Sequence, residues 1–187
     1  SFGIGKNQKT ALIAKNGMGK STLLQIIAGK DIPESGSVIF RNDISIGYLQ
    51  QNPDLNDNNT IFEEVFSSDS PILNIIKEYE KAIATNNLKQ LELLIPQMDA
   101  QSAWDYDTTI KQILSELKVD TYEKKIANLS GGQKKRVGLA KVLISNPDFL
   151  ILDEPTNHLD IEMTEWLENY LEKSNTTLLM VTHDRYF

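Results

Sequence analysis

The sequence predicts an α/β fold built around a mostly parallel β-sheet. Three short apolar runs, at 10–14, 149–153 and 177–182, have the unbroken hydrophobic character of strands that are buried on both faces. A glycine-rich segment and an amphipathic run follow the first strand, and two carboxylates follow the second. Because ligands of open α/β sheets bind outside the carboxyl ends of the strands, these polar segments predict a ligand site at that edge.

The composition limits the classes of protein to which the chain can belong. It has 187 residues, no cysteine and a net charge of −7, with a pI near 4.9. This length suits one domain with at most a small subdomain, and the lack of cysteine excludes disulfides and thiolate metal sites. An acidic chain without an apolar run of ~20 residues predicts a cytoplasmic protein with no membrane span and no strong nucleic-acid patch. Because the chain starts at Ser1 without methionine, we also expect it to be part of a longer protein.

The first motif is KNGMGKST at 15–22, between a predicted strand and a helix that Gly29 is expected to end. This is the context of a phosphate-binding loop, so the chain is predicted to be a P-loop nucleoside triphosphatase. Lys20 would place its charge on the β- and γ-phosphates, and Ser21 would offer its hydroxyl to Mg²⁺. The usual pattern begins with glycine where this sequence has Ala14, which is tolerable if φ there is negative. The residues predicted to bind the phosphates are Asn16, Gly17, Met18, Gly19, Lys20, Ser21 and Thr22.

The second motif is the apolar run FLIL, which ends in Asp153 and Glu154. We expect Asp153 to hold Mg²⁺ and Glu154 to polarise a water in line with the γ-phosphate as the general base. An apolar strand that ends in two acids is common by itself. Together with the phosphate-binding loop, it predicts a Walker B motif.

The third motif is LSGGQKKR at 129–136, which precedes a strongly apolar helical segment. A helix that starts here offers unpaired amides, a serine hydroxyl and the positive end of its dipole, and glycine lets a large anion approach closely. The P-loop already holds the phosphates of its own nucleotide. The second phosphate-binding surface therefore predicts a head-to-tail pair of cassettes around two ATP molecules. The residues that would contact the partner's nucleotide are Ser130, Gly131, Gly132 and Gln133.

Taken together and in this order, the motifs resemble those of the ATP-binding cassette (ABC) ATPases. YLQQNP resembles the Q-loop of that family, NHLD the D-loop and VTHD the switch-histidine loop. The resemblance covers nearly the whole chain and implies a RecA-like core, ATP hydrolysis, and ATP and Mg²⁺ as cofactors. It implies that Gln51, rather than Gln50, senses Mg²⁺ and the attacking water. It also implies that His183 contacts the γ-phosphate and that Asp160 couples the two sites of the pair.

Several segments resemble the ABC-F branch more than they resemble the cassettes of transporters. These are DEPTNHLD, THDRYF and the acidic stretch at 99–107, which is similar to the first cassette of that branch. ABC-F proteins carry two cassettes on one chain and lack membrane segments, and many of them act on the ribosome. The resemblance therefore implies a second cassette and the ribosome as partners, and a role in translation regulation. The nucleotide-binding subunit of a membrane transporter is the alternative, and a module that switches on ATP without significant turnover is a third hypothesis.

An insertion that contacts RNA in several ABC-F proteins, the arm, would fall between the Q-loop and the signature. The segment 71–118 shows helical periodicity, with a predicted helix over 72–84, but no long basic hairpin. We therefore expect the arm to be short or absent.

The resemblance also divides this single, truncated nucleotide-binding domain, 1–187, into subdomains. We expect the core and a β-subdomain in 1–59 and 146–187, and a helical subdomain with the signature in 60–145. The alternating polarity of Ser37–Arg41 and Ile44–Leu49 predicts that the β-subdomain is short and antiparallel.

In this family an aromatic residue upstream of the first strand stacks on adenine, and we expect it to precede the present chain. Phe2 could substitute for it, but we predict Phe2 to be a core residue of a strand. Without that residue and the second cassette, the fragment is expected to bind ATP weakly and to hydrolyse it poorly by itself.

Overall fold

A computed structural model describes residues 2–13, 18–67 and 70–182 of the chain. The strands among these residues are Lys9–Leu12 (β1), Ile46–Leu49 (β2), Phe149–Asp153 (β3) and Thr177–Val181 (β4). They form one sheet in the order β1-β4-β3-β2, in which every neighbouring pair is parallel. The predicted parallel sheet is confirmed, and β3 and β4 end together at its carboxyl edge, where Asp153 lies opposite Val181.

The prediction of an antiparallel β-subdomain is wrong for the segment that forms β2. Ser37–Arg41 forms no strand, and β2 pairs in parallel with β3 so that Gly47 lies opposite Leu150. Alternating polarity indicates one buried and one exposed face, and a strand at the edge of a parallel sheet can show the same pattern. A Cβ on Gly47 would lie 2.7 Å from Pro147 Cγ, so the glycine also permits close packing against the turn before β3.

The α-helices of the described residues surround this sheet and fill the long segment between β2 and β3. They are Lys20–Ile27 (α1), Ile61–Val65 (α2), Pro71–Ala84 (α3), Leu88–Ala100 (α4), Ala103–Glu116 (α5), Gly131–Ile144 (α6) and Ile161–Lys173 (α7), with one 3₁₀ turn at Ile126–Asn128. The helix predicted over 72–84 is confirmed as α3. Gly29 ends α1 as predicted, since its φ is +71° and its N–H donates to the Ile26 carbonyl at 3.1 Å. Within the described ranges, no helix is long and apolar enough to cross a bilayer.

Apolar side chains pack on both faces of the sheet. Helix α1 covers one face, where the buried cluster consists of Leu24, Ile27, Phe149, Ile151, Leu179 and Val181. A larger cluster on the other face joins Leu150 and Leu152 of β3 to α6 and, beyond it, to helices α2–α5. Because β3 is buried along its whole length, the residues that follow it are held at a defined position at the sheet edge.

Candidate functional site

The site begins at the start of α1. Gly19 is the N-cap of this helix and has φ +77°, a left-handed conformation that glycine adopts without strain. Lys20, the first helical residue, is buried, while Met18 and Thr22 are exposed on either side of it. An anion at this helix N-terminus would meet backbone amides and the Lys20 ammonium together.

Asp153, the last residue of β3, lies beside this helix start. It is only 3% exposed, and its carboxylate hydrogen-bonds with the Ser21 side chain. Burial raises the pKa of Asp153 above its ordinary value and the charge of Glu154 adds to this, whereas the Ser21 hydrogen bond and the Lys20 charge lower it. The carboxylate is therefore poorly hydrated in the folded chain, and a cation would stabilise its ionised form.

Glu154 follows in a sharp turn away from the sheet. Its φ is +52°, and its N–H donates to the Val181 carbonyl at 2.9 Å. The Asn157 side-chain amide donates to Glu154 Oε2 at 2.6 Å and so orients the carboxylate. A left-handed φ at a residue other than glycine costs about 1–3 kcal/mol, and such strain is concentrated at active sites.

Gln51 lies close to these two acids. It is exposed just beyond β2 and lines a narrow cleft with Gln50, Asp153, Glu154 and Lys135. The end of β2 thus brings Gln51 to the carboxyl edge at which the acidic residues emerge. The cleft also includes a cation from α6, which the sequence motifs had not placed there.

The third motif forms the start of α6. Ser130 is the N-cap and makes a capping box with Gln133, in which Gln133 N–H donates to Ser130 Oγ at 3.3 Å and Ser130 N–H donates to Gln133 Oε1 at 3.0 Å. A Cβ added to Gly131 would meet no atom within 4 Å, whereas one on Gly132 would lie 3.6 Å from His158 Cβ. The two glycines therefore leave an open surface at Gly131, and the exposed His158 borders it at Gly132.

Asp160 has a different environment, at the start of α7. It is the N-cap of that helix and accepts the Met163 N–H at 2.9 Å. Lys118 Nζ lies 2.7 Å from Asp160 Oδ2, and this contact holds the pKa of the Asp160 carboxyl below its ordinary value. In this chain, the predicted coupling residue is thus tied to the end of α5 rather than to the acids at the sheet edge.

Three predicted site residues lie outside the described residues. They are Asn16, Gly17 and His183, and their roles remain predictions. Of the other predicted residues, the structure brings Lys20, Ser21, Asp153 and Glu154 together and adds Gln51 through the cleft.

The residues at the sheet edge fit Mg²⁺. This cation prefers oxygen ligands, and a protein usually supplies only one or two of them beside the substrate phosphates. A buried carboxylate at Asp153 and the hydroxyl of Ser21 match that requirement. Among the residues that the structure describes, no cluster of three or more His, Cys, Asp or Glu side chains forms a site of another kind.

The motifs did not single out three residues of the site. Asn157 orients Glu154, Lys118 pairs with Asp160, and Lys135 lines the cleft with both acids. Asn157 belongs to the NHLD segment and could have been found from its position three residues after Glu154. Neither lysine carries a sequence signal for its contact, because each contact depends on how separate elements pack.

A wide surface depression at the opposite end of the sheet is not this site. It is lined by Asn7, Asp148 and Thr177, which lie at the amino ends of strands, whereas ligands of parallel sheets bind at the carboxyl ends. Phe2 also lines the depression. The prediction that Phe2 is a strand core residue is wrong, because it is 65% exposed and lies outside every strand of the described residues.

Several known proteins are similar to this chain in sequence. A 46% identity over 195 residues relates it to an uncharacterized ABC transporter ATP-binding protein, YfmR, of Bacillus subtilis strain 168; the match covers 100% of this chain and 31% of that protein. The energy-dependent translational throttle protein EttA of Mycobacterium tuberculosis strain H37Rv is 38% identical over 186 residues, which is 96% of this chain and 33% of that protein. The chain thus spans about a third of the length of these relatives, which are ABC-F proteins.

A solved structure has the same fold. It is the complex of the archaeal ribosomal stalk protein aP1 with the archaeal ribosome recycling factor aABCE1, which matches with a TM-score of 0.66 at 26% identity over 97% of this chain and 30% of that one. The family model described as ABC transporter matches residues 1–157. Since this match covers most of the 187 residues, the chain belongs to the ATP-binding cassette family.

Proposed function

We propose that the chain is an ATP-binding and ATP-hydrolysing cassette of a soluble, cytoplasmic ABC-F protein. In this proposal it closes head-to-tail on a second cassette around two ATP-Mg²⁺ and so regulates a ribosome-associated process. The observation that supports this proposal most is the arrangement of Lys20, Ser21 and the two acids at the end of β3 along one sheet edge. The residue types of this site suit a magnesium-bound triphosphate.

Each residue of that edge has a separate role in hydrolysis. Lys20 neutralises charge on the β- and γ-phosphates, and Glu154 accepts a proton from the attacking water. Ser21, Gln51 and Asp153 would hold Mg²⁺, which when bound would neutralise charge that develops on the phosphates. Asn157 holds the Glu154 carboxylate in one orientation.

The start of α6 supports the second cassette. The first amides of a helix have no partner within it, and Gly131 opens onto unfilled space. This surface can receive the γ-phosphate of a nucleotide held by another cassette, either on the same parent chain or in a second copy. We therefore expect the chain alone to hydrolyse ATP slowly, because no signature segment of a second cassette contacts the ATP that it binds.

The ribosome is proposed from the relatives, because EttA is named a translational throttle protein. The test uses the whole protein that contains this chain, with Glu154→Gln and the equivalent change in the second cassette. We expect this variant to sediment with ribosomes in ATP but not in ADP, because loss of the general base leaves the ATP-bound pair closed. Glu172→Gln, an exposed residue of α7, is the matched control and should behave like the unsubstituted protein.

Two other outcomes would contradict parts of the proposal. If ATP closes the pair but no ribosome sediments with it, the ribosome assignment is wrong and the ATPase assignment stands. If the protein is recovered with a membrane subunit instead, the nucleotide-binding subunit of a transporter becomes the better description.

A further inference from the structure

The hydroxyl of Tyr48 is a buried polar group that the proposed reaction does not use. Tyr48 lies on β2, and its ring packs against the buried cluster beneath α1. Its Oη atom is buried and has no hydrogen-bond partner among the residues that the structure describes. Buried polar atoms in native proteins are nearly always paired, so an unpaired one is a candidate hydrogen-bond donor to a bound water or ligand.

The strand register places this tyrosine on the same face of the sheet as Asp153. Tyr48 pairs with Ile151 of β3, so these two side chains lie on the same face of the sheet. Side chains alternate along a strand, so Asp153, two residues after Ile151, also lies on that face. The same face packs against α1, whose Ser21 hydrogen-bonds with Asp153. Tyr48 of β2 and Ser21 of α1 therefore lie on the same side of the sheet as the Asp153 carboxylate, and the charge of Asp153 acts on Tyr48.

The electrostatics of the site keep the Tyr48 phenol in its protonated form, which can donate a hydrogen bond. Burial, together with the negative charge of Asp153, raises the pKa of Tyr48 to about 12. The phenol is therefore protonated near neutral pH. Its O–H can donate to an acceptor near Asp153, although no direct hydrogen bond joins the two side chains in this structure.

We propose that Tyr48 is a positioning residue of the Mg²⁺-nucleotide site, whose hydroxyl donates to an ordered water that is also bound to the Asp153 carboxylate. This contact holds the carboxylate in the orientation in which it receives the cation. The proposal rests on the proposed function, because it requires that ATP brings Mg²⁺ to Asp153. In this proposal, β2 contributes Tyr48 to the site in addition to Gln51, which follows the strand.

The test compares Tyr48→Phe with the unsubstituted chain and uses Mn²⁺ as the probe, because its electron paramagnetic resonance signal reports free and bound ion. With ATP present, we expect Tyr48→Phe to bind Mn²⁺ about 10- to 100-fold more weakly, the range typical of lost outer-shell contacts. ATP affinity without any divalent ion should stay within about twofold of the unsubstituted value, since the hydroxyl does not touch the phosphates. The melting temperature without ligands should change little, because the Tyr48 hydroxyl hydrogen-bonds with no protein group in the part of the chain that the structure describes.

Tyr106→Phe is the matched control. Tyr106 is a second tyrosine whose pKa burial raises to about 12, but its hydroxyl donates to the Ile144 carbonyl and so has a structural partner. We expect the opposite pattern for this variant, namely a lower melting temperature and an unchanged Mn²⁺ affinity.

A double substitution tests whether Tyr48 acts through Asp153. In the Asp153→Asn background, Tyr48→Phe should cause no further loss of Mn²⁺ affinity, because both changes remove the same contact. If Tyr48→Phe lowers the melting temperature and leaves Mn²⁺ affinity unchanged, Tyr48 is structural and the proposal is wrong. If the unsubstituted chain shows no ATP-dependent Mn²⁺ binding, the proposed function itself fails, and this inference fails with it.

Discussion

At the scale of single residues, two adjacent acids have different environments and therefore different chemistry. Asp153 is buried against α1, where it hydrogen-bonds with Ser21. Glu154 turns away from the sheet and is oriented by Asn157. Although they are adjacent in the sequence, the Asp153 carboxylate thus suits a cation, whereas the Glu154 carboxylate can accept a proton from water.

Asn157 is expected to affect turnover through Glu154. Glu154→Gln should slow ATP hydrolysis by about 10²- to 10⁴-fold, the usual contribution of a general base, and leave ATP binding intact. Asn157→Ala should slow it less, because the carboxylate remains but loses the 2.6 Å contact that orients it. Phosphate release at saturating ATP measures both rates. Equal losses in the two variants would contradict a positioning role for Asn157.

The pKa of Asp153 predicts how stability depends on pH. This pKa is raised in the folded chain, so the fold disfavours the ionised form of the carboxyl. The resulting loss of stability is absent below the unfolded pKa and reaches its full size as the pH rises through the folded pKa. Asp153→Asn should therefore melt at a higher temperature than the unsubstituted chain at pH 7 without ligands, and the difference should shrink on acidification. It should also lose the stabilisation that ATP and Mg²⁺ provide.

Asp160→Asn is the control with the opposite sign. Its pKa is lowered, mainly by Lys118, so its ionised form stabilises the fold above the unfolded pKa, and this contribution is lost as the pH falls. Asparagine caps a helix about as well as aspartate, so only the charge interaction changes. This variant should melt at a slightly lower temperature than the unsubstituted chain at pH 7. A rise in melting temperature would contradict the assigned interaction.

At the scale of elements, α6 uses its glycines for two different purposes. Gly131 lies at the open start of the helix, where an added Cβ meets nothing within 4 Å. Gly138 lies about two turns further along the helix, where a Cβ would come within 2.6 Å of Pro53 Cβ. The first position suits an approaching ligand, and the second lets the segment after the Q-loop pack directly against the helix.

This difference predicts opposite results for two alanine substitutions. Gly138→Ala should lower the free energy of unfolding, because overpacking costs about 1–3 kcal/mol and the gain in helix propensity returns only about 1 kcal/mol. Gly131→Ala should leave stability nearly unchanged but slow hydrolysis in the complete two-cassette protein. Urea unfolding and phosphate release separate the two effects. Equal stability of both variants would show that the Pro53 contact relaxes at no cost.

At the scale of the whole molecule, two ion pairs join the segment after the Q-loop to α6. Lys141 Nζ lies 2.5 Å from Glu64 Oε1, and Lys134 Nζ lies 2.6 Å from Asp57 Oδ1. Glu64 is only 2% exposed and also accepts a hydrogen bond from Asn59, whereas Asp57 is largely exposed. The start of the helical region and the signature helix are therefore expected to move as one body.

The two pairs should contribute unequally to stability. Lys141→Met leaves the buried Glu64 carboxylate without its cation, and removing one partner of a buried pair costs about 3–5 kcal/mol. Lys134→Met is the matched control and should cost about 0–1 kcal/mol, because its carboxylate partner is exposed to water. Chemical denaturation of both variants gives the comparison. A similar small loss in both would show that water compensates Glu64.

Much of the candidate site could be predicted from sequence because its parts are local. The left-handed turn at Gly19, the cap at Ser130 and the acids at the end of β3 each depend on a few neighbouring residues. The antiparallel pairing of β2 was predicted wrongly for the opposite reason. Its alternating pattern reports which face is buried, but not which strand lies beside it.

The sequence by itself determined the glycine turn before α1, the acidic strand end and the helix start at Ser130, because short-range preferences encode each of them, and its motifs determined the family. Only the tertiary structure decided that β2 runs parallel to β3, that Tyr48 faces the same side as Asp153 and that Lys118 pairs with Asp160. These contacts join residues that are far apart in the sequence. Lys118 and Asp160 are 42 positions apart, and the paired residues of β2 and β3 are further apart still. Their physical reason is strand register and helix packing, which depend on how buried surfaces fit together rather than on any local pattern.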